Sequence, residues 1–201
     1  MINNNFFLSL IFFICTISCR HKEKDLVKDR QLLKDTGISD SGYWKFKSRY
    51  FGIGAFVDNY KGAITNEYFL SNPSSLSISR DKIFDEESYA YWYQDVLNPS
   101  IPDGSTLTFR AKIKAEIIEG QAYMFLHSLY DNDTKENGFY ATSGMIKIEN
   151  SADFKEVVFS VENYKETFKP TEKLVVGLGF DTKTAGKVYF DDIYLEITPK
   201  K

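Results

Sequence analysis

Cysteine is almost missing from this sequence. Of its 201 residues only Cys15 and Cys19 could form a disulfide, and they lie so close together that a bond between them would close a useless loop. Both fall in the N-terminal segment, so cysteine-ligated zinc and cysteine catalysis are excluded from the rest of the chain. Histidine is as scarce: His21 and His127 are the two present, and no GxSxG, HExxH or P-loop pattern accompanies them. Excess positive charge is also lacking. With a net charge of −3 and a pI near 5.5, the chain has no global field to gather phosphates, which sets nucleic acid aside as a partner. Five prolines and twelve glycines are too few for a fibrous or low-complexity chain. Finally, no apolar run is long enough to span a bilayer; the one from Phe6 to Ile14 has the length of a signal-peptide core.

What is present is aromatic. Seventeen Phe, thirteen Tyr and two Trp within a 43% hydrophobic composition supply the core of one globular domain. Ahead of it, Thr16, Ile17, Ser18 and Cys19 follow the apolar run and resemble a bacterial lipobox, which implies that residues 1–19 are a lipoprotein signal peptide and that Cys19 is lipidated. The expected location is then the bacterial cell envelope, anchored in a membrane, with the outer membrane favoured. Residues 20–41 carry six basic and five acidic side chains and read as a solvated tether.

From residue 42 to 198 the chain reads as a β-domain. Short runs of aromatic and β-branched residues recur every eight to twelve residues between turn signals. In TLTFRAKIKAEI, residues 106–117, Leu107, Phe109, Ala111, Ile113, Ala115 and Ile117 alternate with polar residues, so one face is buried and the other open. This strand and the following AYMFLHSLYD, separated by EGQ, are expected to form a hairpin. Further strands are expected at 43–57, 62–70, 75–79, 88–97, 139–148, 153–161, 172–180 and 186–197. No run keeps a helical period, and the fold class that follows is all-β: a two-sheet antiparallel sandwich, a jelly roll.

The order of Trp44, DNYKG at 58–62, Gln94 in YWYQDV, LTFRAKIKAE at 107–116, DFKEVVFSV at 153–161 and GKVYFDDIYLE at 186–196 resembles galactose-binding-like jelly rolls. It is similar in particular to carbohydrate-binding modules of the family 4/9 type and to accessory domains of erythromycin-esterase-type proteins. The resemblance implies a glycan partner lying across a concave sheet. Gln94, Arg110, Lys112 and His127, with Tyr91 and Tyr93, are the residues expected to meet it, since rings stack on sugar faces and planar polar groups bond hydroxyls. His127 would join Arg110 and Lys112 if the Met124 side of its strand is core. Trp92 and Trp44 are read as core.

Asp191 and Asp192 interrupt the last apolar run. As neighbours on a strand they point to opposite faces unless a bulge intervenes, so they do not make a catalytic acid–base pair. The family resemblance implies that such an aspartate holds the N-terminal segment, sometimes through a structural Ca²⁺. The other reading is metal-free: one carboxylate accepts backbone amides and its neighbour faces solvent. No cofactor is expected beyond that calcium. The loop 131–138 starts like an EF-hand but lacks its glycine and its final glutamate. The expected function is therefore a non-catalytic, carbohydrate-binding envelope lipoprotein. The alternatives are a structural or protein-interaction lipoprotein, and a carboxylate-dependent glycan hydrolase.

Overall fold

The computed structural model describes residues 31–39, 42–50, 55, 59–71, 73–84, 87–97, 99–130, 140–162 and 173–200. The expected lipidation site, Cys19, and the 131–138 loop lie outside the described residues. Ten strands form among the described residues: β1 (Lys45–Tyr50), β2 (Lys61–Thr65), β3 (Ser75–Arg80), β4 (Ser88–Leu97), β5 (Thr106–Glu119), β6 (Ala122–Tyr130), β7 (Tyr140–Ile148), β8 (Ser151–Val161), β9 (Lys173–Phe180) and β10 (Ala185–Thr198). No helix occurs among the described residues. The strands make two five-stranded sheets, a front sheet β1-β4-β9-β6-β7 and a back sheet β2-β3-β10-β5-β8, with every pairing antiparallel. This is the two-sheet sandwich of a jelly roll.

Period-two alternation builds the core. Leu107, Phe109, Ala111 and Ile113 of β5 point inward with Val188 and Phe190 of β10; Trp92, Met124, Leu126, Val176, Leu178 and Phe180 of the front sheet belong to the same buried cluster. Trp92 also donates its indole N–H to the Ser77 carbonyl at 2.9 Å, joining the two layers. Trp44 is buried and donates to the Asp35 carbonyl at 3.2 Å.

Two expectations fail here. β5 and β6 do not form a hairpin, because they lie in different sheets. At their junction Gly120 takes φ +80°, and a Cβ there would lie 2.6 Å from the Lys183 carbonyl oxygen. The amide of Gln121 then donates to Thr184 Oγ1 at 3.0 Å while that hydroxyl donates to the Gln121 carbonyl at 2.9 Å. The chain is thereby carried across the sandwich beside the β9–β10 connection, which crosses the opposite way. The second failure concerns the tether. The compact unit begins at Leu32, not at residue 42. Leu33 and Ile38 are buried, and the Leu32 amide donates to the Leu195 carbonyl at 2.9 Å.

Candidate functional site

The outer face of the front sheet collects rings. Side chains of alternate residues share a face, so Tyr89, Tyr91 and Tyr93 of β4 stand on the side opposite Trp92, and Tyr123, Phe125 and His127 of β6 stand opposite Met124 and Leu126. Between them runs β9, whose Gly177 pairs with both Tyr93 and Phe125 and whose Gly179 pairs with both Tyr91 and Tyr123. The glycines make room for the rings to cross the strand. A Cβ on Gly177 would fall 1.9 Å from Phe125 Cζ, and one on Gly179 would fall 2.6 Å from Tyr91 Cβ.

The rings touch in sequence across the face. Tyr89 and Tyr91 stack at 5.8 Å between centroids, Tyr91 meets Phe125 edge-on at 5.5 Å, and Phe125 lies 5.7 Å from Tyr123 and 4.5 Å from His127. Phe125 is buried as the floor; Tyr89, Tyr91, Tyr93, Tyr123 and His127 stay half-buried. Burial pushes the Tyr91 phenol up to about 12 and raises that of Tyr123. It lowers the His127 imidazolium below its ordinary 6.5, so at neutral pH this face offers neutral hydroxyls and a neutral imidazole. Such groups donate and accept hydrogen bonds without a charge to desolvate.

The six residues expected to line one ligand surface divide into three places. Tyr91, Tyr93 and His127 share the front outer face. Gln94 is on the inner side of β4, 3% exposed, and both ends of its amide are engaged: Oε1 accepts from the Lys34 amide at 2.6 Å and Nε2 donates to the Lys34 carbonyl at 2.8 Å. Arg110 and Lys112 sit on the outer face of the back sheet. Arg110 lies over the Tyr194 ring at 4.3 Å and pairs with Glu196 at 3.2 Å and Glu156 at 3.5 Å. The expected adjacency of His127 with Arg110 and Lys112 is therefore corrected; it assumed a β5–β6 hairpin, and these strands belong to opposite layers. Tyr89, Tyr123, Phe125, Gly177 and Gly179 complete the front face and were not among the expected contacts. Their signal in the sequence was YMFLH facing the Gly-Leu-Gly of β9.

Asp191 and Asp192 form a β-bulge, with a register shift against β5 between Asp191 and Tyr194 and φ 48° at Asp192. Asp191 Oδ2 accepts the Leu70 amide at 2.6 Å and Oδ1 accepts the Asp192 amide at 2.7 Å, while Ser71 Oγ donates to Asp192. The pair holds the 66–71 loop, not the N-terminal segment. Both Asp191 oxygens meet N–H donors and Asp192 meets a hydroxyl, and no group of three or more His, Cys, Asp or Glu side chains able to hold a metal occurs among the described residues.

No protein-family model matches the sequence, and no curated protein matches it. Solved structures share the fold. The CBM22-1 xylan-binding domain of Paenibacillus barcinonensis Xyn10C superposes with a TM-score of 0.54 at 10% identity, over 85% of this chain and 96% of that domain. A cyclase from Fischerella sp. TAU gives 0.58 at 11%, over 85% and 98%. The enzymatically active domain of bacteriophage CBA120 tailspike protein 4 gives 0.60 at 9%, over 84% of this chain, which spans 21% of the tailspike chain. Likeness at these identities establishes the sandwich architecture that binding modules and enzyme domains both use.

Proposed function

We propose that this protein is a non-catalytic glycan-binding lipoprotein of the bacterial cell envelope, anchored through Cys19, and that the outer face of the front sheet is its binding platform. The observation that carries the reading is the continuous set of rings from Tyr89 to His127, laid across Gly177 and Gly179 on a sheet whose opposite side is core. Aromatic faces pack against the apolar faces of pyranose rings, and the tyrosine hydroxyls and imidazole supply bonds to sugar hydroxyls. The xylan-binding fold neighbour lends support at the level of architecture.

Glycan-array binding followed by affinity electrophoresis tests it. The double variant Tyr91→Ala, Tyr93→Ala should weaken binding by about tenfold or more, as the loss of ~1.4 kcal/mol of stacking implies, with an unchanged circular dichroism spectrum. Undiminished binding in that variant removes the platform. A second reading, protein docking, draws on the consecutive exposed residues Tyr68, Phe69 and Leu70, at 44%, 47% and 48% exposure, in the loop pinned by Asp191. On that reading Phe69→Asp abolishes partner capture and the platform tyrosines are dispensable.

A further inference from the structure

At the Leu97 end of β4 the ring-lined face runs into a hollow of about 450 Å³ lined by Lys34, Tyr43, Lys45, Gln94 and Asp95 among others. Lys45 belongs to both places: its Nζ lies 5.9 Å from the centre of the Tyr93 ring and 3.6 Å from Asp95. Lys173 approaches the same carboxylate at 2.9 Å. Lys34 completes the set, with Nζ 5.3 Å above the ring of Tyr43, which is 44% exposed. Two ammonium groups thus meet one carboxylate and a third lines the same hollow, in a chain whose net charge is −3.

The placement of Lys34 is built into the fold. Gln94 reaches from the interior of β4 to both backbone polar groups of Lys34, so the buried amide fixes the segment that brings this lysine to the hollow. Gln94 is a positioning residue here. A neutral sugar gives no use for such an arrangement. An anion beside the stacked rings does, because a surplus of ammonium groups next to a low-polarity aromatic wall favours a negative charge held where the ring stacks.

Resting on the platform reading, we infer that the ligand is an acidic polysaccharide, its charge carried by uronate carboxylates or sulfate esters, and that the hollow lined by Lys34 and Lys45 receives one anionic group of a chain stacked on Tyr91 and Tyr93. Lys45 bridges the stacked sugar and the anion. Asp95 keeps Lys45 and Lys173 near each other, with Lys34 in the same hollow.

Affinity electrophoresis with the full chain in matched gels tests this: polygalacturonate against its carboxyl-reduced form, and dextran sulfate against dextran. Retardation by a charged polymer should exceed that by its neutral partner at least tenfold and should fall with added salt; which charged polymer retards identifies carboxylate or sulfate as the group read. Lys34→Ala with Lys45→Ala should remove that preference, while Lys61→Ala with Lys155→Ala, an equal charge loss on the back sheet, should keep it. Gln94→Leu should reduce the preference, because it releases the segment that carries Lys34. Equal retardation by charged and neutral forms, or equal effects of the two double-lysine variants, overturns the inference and leaves the platform intact. Retardation by none of the four polymers overturns the inference, and the glycan array then decides the platform separately.

Discussion

At the scale of single residues, the glycines of β9 and the buried carboxylate of β10 determine what the two outer faces are. Gly177→Ala sets a methyl group against Phe125, which cannot easily swing away because Tyr91, Tyr123 and His127 pack around it. The variant should lose about 1–3 kcal/mol of stability, the usual cost of overpacking, and should bind glycan less well than its residual fold predicts, measured by urea titration alongside gel retardation. Asp191 acts through a charge. Burial raises its carboxyl above the ordinary 3.8, although the Leu70 and Asp192 amides pull the other way. A raised acid makes the folded state the tighter proton binder, so its contribution to stability is complete below about pH 4 and is lost as pH rises through the folded-state value. Asp191→Asn should flatten that decline when unfolding midpoints are compared from pH 4 upward. An unchanged pH profile in the variant would show that the carboxyl titrates the same in both states.

At the scale of elements, the strand-to-strand connections fix which residues meet. If the two crossing connections are held by the Gln121–Thr184 bonds, Thr184→Val should cost about 1 kcal/mol, since it leaves the half-buried Gln121 amide without its acceptor while the Gln121 carbonyl keeps the Asp181 amide; a urea midpoint matching wild type would refute this. These same connections explain what the sequence did and did not disclose. Alternation is local, so the strands, the inward set of β5, the burial of Trp92 and the shared side of Tyr123, Phe125 and His127 could all be read from period two. Pairing is not local: nothing in Glu119-Gly120-Gln121 distinguishes a turn back from a turn across, and that one ambiguity misplaced Arg110 and Lys112. Gln94 was misplaced differently, because its partner is a backbone segment whose charge density reads as solvated. The bulge was legible in principle. Inward residues of β10 are even-numbered through Val188 and Phe190 and odd-numbered from Ile193 through Leu195 and Ile197, so the phase of burial changes across the Asp pair. A one-residue shift of that kind requires an extra residue in the strand.

At the scale of the whole molecule, the proposed anchor and platform reinforce each other. A polysaccharide carries many repeats, so copies held in one membrane can engage a single chain together; each contact after the first is then intramolecular, and avidity rises by about 10² or more without any new contact. Free protein has no such gain and should bind polymer and short oligomer with comparable per-site affinity. The substitution Cys19→Ala separates the two conditions while leaving every platform residue in place. Expressed in a bacterium that processes lipoproteins, the wild type should take up radiolabelled palmitate and sediment with membranes, and the variant should do neither. Membranes bearing the wild type should then retain polymer at least tenfold more tightly than a hexamer of the same sugar, a ratio that falls toward unity for the variant in solution. If Cys19→Ala still takes up label, the anchor lies elsewhere. If the polymer-to-hexamer ratio is the same on the membrane and in solution, display at a surface adds nothing to binding, and the link between anchor and platform is lost.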